Sequence, residues 1–281
     1  MILQCGQRVL SLDTPQIMGV LNVTPDSFSD GGELLSNEGL LHDRLLRRAA
    51  QMVADGAAIL DVGGESTRPG AAPVSPQEEL DRVMGAVQLI APRFDVIVSI
   101  DTSTPEVMRE AAQVGAGLLN DVRAFSCEGA MAAAVASQLP VSLMHMSDEP
   151  DRMQEQTEYA EVVTDVKAFL ADRIAACREA GIANDQMMID PGFGFGKTVA
   201  QNYEMLRRLE EFASFNLPIL VGVSRKSMIG AITGRPASER VVPSAVLAVM
   251  AAARGASVIR VHDVAETADA LAVWQATEGE L

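Results

Sequence analysis

Ile17-Met-Gly-Val-Leu-Asn-Val-Thr-Pro-Asp-Ser-Phe-Ser-Asp30 is a short apolar run that stops at a polar residue, Asn22, and passes into a loop rich in small and polar groups. Apolar residues at successive positions suit a strand covered on both faces, as in a parallel sheet. The same pattern recurs along the chain. Candidate strands are Ile17–Val23, Ile59–Val62, Val96–Ile100, Leu118–Asn120, Val141–Met144, Met187–Ile189, Ile219–Val223 and Val258–Val261. Helical patterns lie between them. Asp43–Ala54 has apolar residues at helical spacing, and Ser75-Pro76-Gln77-Glu78 has the cap, Pro and Glu of a helix start. Thr104-Pro105 repeats that start, and Glu161–Ala180 ends at Gly181, a natural C-cap.

Strands alternating with helices make the chain α/β: a (β/α)8 TIM barrel or a doubly wound sheet. The strand ends favour the barrel. They carry Asn22, Asp61, Asp101, Asn120, His145, Asp190, Ser224 and His262. A barrel gathers all strand C-termini on one face, whereas an open sheet strings them along an edge. No linker interrupts the 281 residues, so residues 1–281 are read as a single domain, with residues 2–10 as an N-terminal hairpin closing the barrel bottom.

Composition narrows the function. A net charge of -16 opposes non-specific nucleic-acid binding but leaves room for a small anion held by a few local cations. Cys5, Cys127 and Cys177 are too few and too widely spaced for a disulfide framework. The start of the chain lacks the pattern of a signal peptide, and the apolar run Val241–Ala253 is too short to span a bilayer. The expectation is a cytoplasmic enzyme acting on small molecules, with no nucleic acid and no membrane.

Asp61, Asp101, Asn120 and Asp190 have no cation beside them in sequence. Together they suit the donor-rich edge of a flat heterocycle such as a 2-amino-4-oxo-pteridine. Paired carboxylates serve glycoside hydrolysis or metal binding equally well. The cations cluster late, in Ser224-Arg225-Lys226-Ser227 and in Arg260-Val261-His262. Loops after the seventh and eighth barrel strands frequently bind phosphate, and Arg260 and His262, two apart, point to one side of a strand as an anion clamp. The loops after the first two strands have the composition of lids. Pro191-Gly-Phe-Gly-Phe-Gly-Lys197-Thr198 imitates a phosphate loop, but Pro191 stands where the first Gly must be. Its glycines are read as letting backbone approach a ligand.

Read together, these blocks resemble the dihydropteroate synthase family of pterin-binding barrels. The matching segments are Met18–Gly32, Asp61–Gly70, Ser99–Thr102, Asn120–Val122, Leu143–Met146, Asp190–Lys197, Gly222–Ser227 and Arg260–Asp263. Departures are small: Ser147-Asp148 replaces a frequent Gln-Gly pair, and Ala58 a frequent Asp. The resemblance implies condensation of 6-hydroxymethyl-7,8-dihydropterin pyrophosphate with 4-aminobenzoate, yielding 7,8-dihydropteroate and pyrophosphate, with Mg2+, in a homodimer open to sulfonamide competition. It implies pterin binding by Asp101, Asn120, Asp190, Lys226 and Arg260, and pyrophosphate binding by Asn22, Arg68, Arg260 and His262. Asn22 also lies near the metal. Phe28, Thr67, Pro69, Phe195 and Ser227 surround aminobenzoate, and Asp30 joins Lys226 and Arg260 as catalytic groups. Asp61 matches the motif without an evident role. Alternatives are a methyltetrahydrofolate–corrinoid methyltransferase and a catalytically silent pterin-binding protein.

Overall fold

The computed structural model describes residues 1–24, 38–65, 74–148, 152–153 and 157–278. Strands β1 (Ile2–Cys5) and β2 (Arg8–Ser11) form an antiparallel hairpin turning at Gly6, whose φ is +61°. The remaining strands are β3 (Gln16–Asn22), β4 (Ile59–Gly63), β5 (Ile97–Asp101), β6 (Leu118–Asp121), β7 (Val141–Met144), β8 (Met187–Asp190), β9 (Leu220–Val221) and β10 (Val258–Val261). All pair in parallel, in the order β8-β7-β6-β5-β4-β3-β10-β9. A parallel bridge between Ile189 and Ile219 joins the two ends of that order. The architecture is therefore the expected closed (β/α)8 barrel. β9 is shorter than expected, because beyond Val221 the chain turns into a loop in which Arg225 takes a left-handed φ of +58°.

Helices α1 (Glu38–Ala54), α2 (Pro76–Ile90), α3 (Pro105–Gln113), α4 (Ala130–Ser137), α5 (Val162–Ala180), α6 (Val199–Arg207), α7 (Ser227–Thr233), α8 (Val241–Ala252) and α9 (Val264–Glu278) follow the barrel strands. Local sequence sets their ends. The Ser75 side chain accepts from the Glu78 amide, and Gly181 caps α5 at φ +103°. Thr198 and Gln201 form a capping box that starts α6. Among the described residues, no helix is long and apolar enough to cross a membrane.

Strand parity sorts the core. Leu60, Val62, Val98, Ile100, Leu119, Leu143 and Ile189 face the helices. Met18, Ile59, Ile97, Leu118, Met188, Leu220 and Val258 form a separate apolar cluster inside the barrel, together with Leu3, Cys5 and Leu10 of the hairpin. The hairpin thus seals the bottom. Counting upward by two from this plug, Asp61, Ser99, Asp101, Asn120, Ser142, Asp190 and Arg260 fall on the inward side toward the open, C-terminal end.

Candidate active site

The inward polar residues form two connected groups. In the first, Arg260 reaches across β3. Its Nε donates to Asp61 Oδ2 at 2.6 Å, and its Nη2 donates to Asp101 Oδ2 at 2.8 Å. Asn120 Nδ2 donates to the same Asp61 oxygen at 3.2 Å. Asp61 is fully buried, and its Oδ1 has no hydrogen-bond partner among the described residues. No cation stands beside Asp61 or Asp101 in sequence. Both are in fact ion-paired to a guanidinium almost two hundred positions away in the case of Asp61, a pairing that strand order creates and local sequence hides.

Electrostatics in this group is a contest between burial and pairing. Burial pushes the Asp101 carboxyl up to about 7; Arg260 opposes the rise, while the charges of Asp61, Asp121 and Glu79 add to it. Burial also works against the Arg260 charge, but Asp61 and Asp101 outweigh it and hold the guanidinium above its ordinary value. Two further buried carboxylates are satisfied by their neighbours. Glu79 accepts from the hydroxyls of Thr102 and Thr104, each at 2.5 Å. Asp121 accepts from the hydroxyl of Ser103 and the amides of Arg123 and Phe125.

The second group is built on the loops after β8 and β9. Asp190 Oδ1 accepts from the Gly192 amide at 2.7 Å, and burial raises its pKa against the charge of Lys226. The Lys226 ammonium donates to the Phe193 carbonyl and sits 4.5 Å from the centre of the Phe195 ring. Burial brings Lys226 down to about 8, opposed by Asp190. Arg260 lies close enough to act on both Asp190 and Lys226 and so links the two groups. Ser227 follows Lys226 as the first, exposed residue of α7.

The late cations have different partners. Arg260 turns inward to the carboxylates, while His262, just beyond the end of β10 at Val261, has its Nδ1 3.1 Å from Ser224 Oγ. Within the Ser224–Ser227 loop, Arg225 is an ion-pair partner of Asp263, to which it donates through Nε at 2.9 Å and through Nη2; only Lys226 turns to the site. The glycine-rich loop packs closely against the loop after β7. A Cβ on Gly192 would stand 1.8 Å from the His145 carbonyl oxygen, and one on Gly196 1.7 Å from Ser147 Oγ. These glycines admit close packing of the protein on itself.

Lys197 is the group that sequence reasoning passed over, having met it only inside the imitation phosphate loop. Its buried ammonium donates to the carbonyls of Gly192 at 2.8 Å and Phe195 at 3.0 Å, and lies 2.9 Å from His145 Nδ1. A Lys that closes a glycine-rich run after a strand was the available signal. Asn22 stands half-buried at the end of β3, where its Oδ1 would lie 3.5 Å from a Cβ on Gly63, as would the Cβ of Asp101. Phe28, Asp30, Thr67, Arg68 and Pro69 lie outside the described residues.

Residues 18–262 match the model of a family described as pterin binding enzyme. The chain is 52% identical over 271 residues to the dihydropteroate synthase of Escherichia coli (strain K12), covering 95% of this chain and 93% of that protein. The chain belongs to the dihydropteroate synthase family. Its structure superposes with a TM-score of 0.93 on Yersinia pestis dihydropteroate synthase in a sulfonamide drug complex, at 49% identity over 99% of this chain and 100% of that one. It superposes at 0.89 on the Xanthomonas albilineans dihydropteroate synthase in complex with 7,8-dihydropteroate, at 42% identity over 99% of each chain. In this family member, both polar groups open at the C-terminal end of the barrel, where enzymes of this fold place their chemistry.

Proposed function

We propose that the chain condenses 6-hydroxymethyl-7,8-dihydropterin pyrophosphate with 4-aminobenzoate to give 7,8-dihydropteroate and pyrophosphate, by a dissociative route. Membership in the dihydropteroate synthase family makes it a transferase of folate biosynthesis. The observation that carries the reading at the level of residues is the pair of carboxylate and cation groups converging on one barrel mouth, around Arg260 and around Lys226.

Asp101 and Asp190 through their carboxylates, and Asn120 through its amide oxygen, would accept from the nitrogen-borne donors of the ring. Lys226 and Arg260 would complete the pterin set, the planar guanidinium serving both the ring face and phosphate oxygens. The bond from the pterin methylene carbon to oxygen breaks, its electron pair leaves with pyrophosphate, and a cation remains on the electron-rich dihydropterin. Arg260, His262, Asn22 and Arg68 would bind the leaving anion, and Asp30 would stabilise the cation. The aminobenzoate nitrogen, within Phe28, Thr67, Pro69, Phe195 and Ser227, then forms the new C–N bond and releases a proton. Its amine is unprotonated at neutral pH, so no strong base is required.

The described residues fit a Mg2+ that arrives with substrate. They contain no group of three or more His, Cys, Asp or Glu placed to cage a metal, while Asn22 offers one amide oxygen at the mouth. Mg2+ keeps several waters and binds through one or two protein oxygens plus substrate phosphates. When bound, it would supply positive charge at the leaving pyrophosphate. A homodimer is supported by Val242, Val246 and Met250, spaced by four along α8 and exposed, with Val273 exposed on α9. Three free cysteines suit a cytoplasmic location.

The test is pyrophosphate release from the pterin substrate and Mg2+, with and without 4-aminobenzoate. Aminobenzoate-dependent release yielding dihydropteroate supports the reading. Absence of release with the pterin still bound would overturn it in favour of a silent binder.

A further inference from the structure

We infer that Asp61 is the positioning residue of the site: it does not touch substrate, but sets where the Arg260 guanidinium stands and which way the Asn120 amide faces. The inference rests on the pterin reading above for its kinetic consequences and on geometry alone for its structural one.

Arg260 has two carboxylate partners that differ in depth. Asp61 lies at the third position of β4, fully buried, whereas the Asp101 side chain retains 13% of its surface at the end of β5 and Arg260 retains 23%. An incoming ring can therefore compete for Asp101, but it cannot reach the bond between Asp61 and Nε. Holding Arg260 at Nε leaves both terminal nitrogens of the fork on the open side. One of them now engages Asp101, and both can be redirected to a ligand without freeing the arm.

The same oxygen of Asp61 orients a second pterin-binding candidate. It accepts from Asn120 Nδ2 at 3.2 Å, and a carboxylate can only accept. The amide nitrogen of Asn120 is thereby committed to the barrel floor, and its oxygen is the atom left to accept from a ligand. A neutral carboxamide at position 61 could keep one oxygen where both donors meet, but it would remove the charge that holds the guanidinium and place an NH2 group where the buried Oδ1 stands. Electrostatics adds to geometry. Asp61 and Asp101 sit on adjacent paired strands, and Arg260 is the cation that hydrogen-bonds both. Weakening the inner contact would let the guanidinium drift to the outer carboxylate, closing over the group the ring needs.

Asp61→Asn and Asp61→Glu test this. The first removes the charge at constant shape; the second keeps it and displaces it by one methylene. With either, the KM for dihydropterin pyrophosphate is expected to rise about tenfold or more, while the KM for aminobenzoate changes less than about threefold. A cycle with Arg260→Lys separates positioning from general support of the fold. If Asp61 acts through Arg260 and Asn120, the double variant loses less kcat/KM than the sum of the two single losses, whereas independent sites would add them. Additive losses, or equal losses for both substrates that follow the folded fraction, would overturn the inference. Crystal structures of the variants decide the structural half whether or not the chain turns over. A shifted guanidinium and a flipped Asn120 support it, and an unmoved pair sinks it. A wild-type chain without turnover would instead count against the proposed reaction.

Discussion

Lys197 Nζ lies 2.9 Å from Nδ1 of His145, and burial lowers Lys197 well below its ordinary value. Burial, and then the Lys197 charge, push His145 down to about 2. The ring is wedged edge-on against Phe169, with centroids 4.9 Å apart. This pair ties the loop after β8 to the end of β7 and fixes the backbone from which Phe195 and the Phe193 carbonyl meet Lys226. Replacing Lys197 with Met removes its hydrogen bonds to the Gly192 and Phe195 carbonyls and its contact with His145, and is expected to cost about 2–4 kcal/mol of stability. A denaturant melt measures this, and a loss below about 1 kcal/mol would remove the role assigned to the tie.

The alkaline side of the pH profile belongs to Lys226. Its value of about 8 means a cation below that pH and a neutral amine above it. The kcat/KM for dihydropterin pyrophosphate should fall with a midpoint near about 8, and Lys226→Arg should flatten that limb even if it lowers the plateau. Stability moves the other way. The folded value lies below the ordinary 10.5, so between about 8 and 10.5 the unfolded chain holds the extra proton, and the contribution of Lys226 to folding grows with pH. An activity limb that tracks unfolding would contradict this.

The glycines of the loop after β8 are not equivalent to glycines elsewhere. Gly192→Ala puts a methyl 1.8 Å from the His145 carbonyl oxygen, at φ +73°. Backbone must move, and a loss above about 3 kcal/mol is expected. Gly181→Ala is the control: its φ is +103°, but no atom lies within 4 Å of the added carbon, so only backbone strain of about 1–2 kcal/mol should register. Matching melting temperatures for the two variants would show that the close approach is relieved cheaply.

The exposed stripe on α8 has its own test. Val246 keeps 53% of its surface, between Val242 at 73% and Met250 at 37%. If this face joins two copies, Val246→Glu buries two charges at the interface and should shift sedimentation from dimer to monomer. An unchanged dimer would place the interface elsewhere.

The eight barrel strands, the helix caps at Ser75 and Gly181, and the gathering of polar residues at one barrel mouth were legible in the chain because periodicity, capping and strand parity act over a few residues. The hydrogen bond that Arg260 donates to Asp61 shows where that legibility stopped: the two are 199 positions apart and meet only because β10 lies next to β3 and β3 next to β4. The burial of Lys197 and the capture of Arg225 by Asp263 have the same cause. A side chain's charge is written in the sequence, but its partner, its depth and its field are set by neighbours that only closure of the barrel brings within reach.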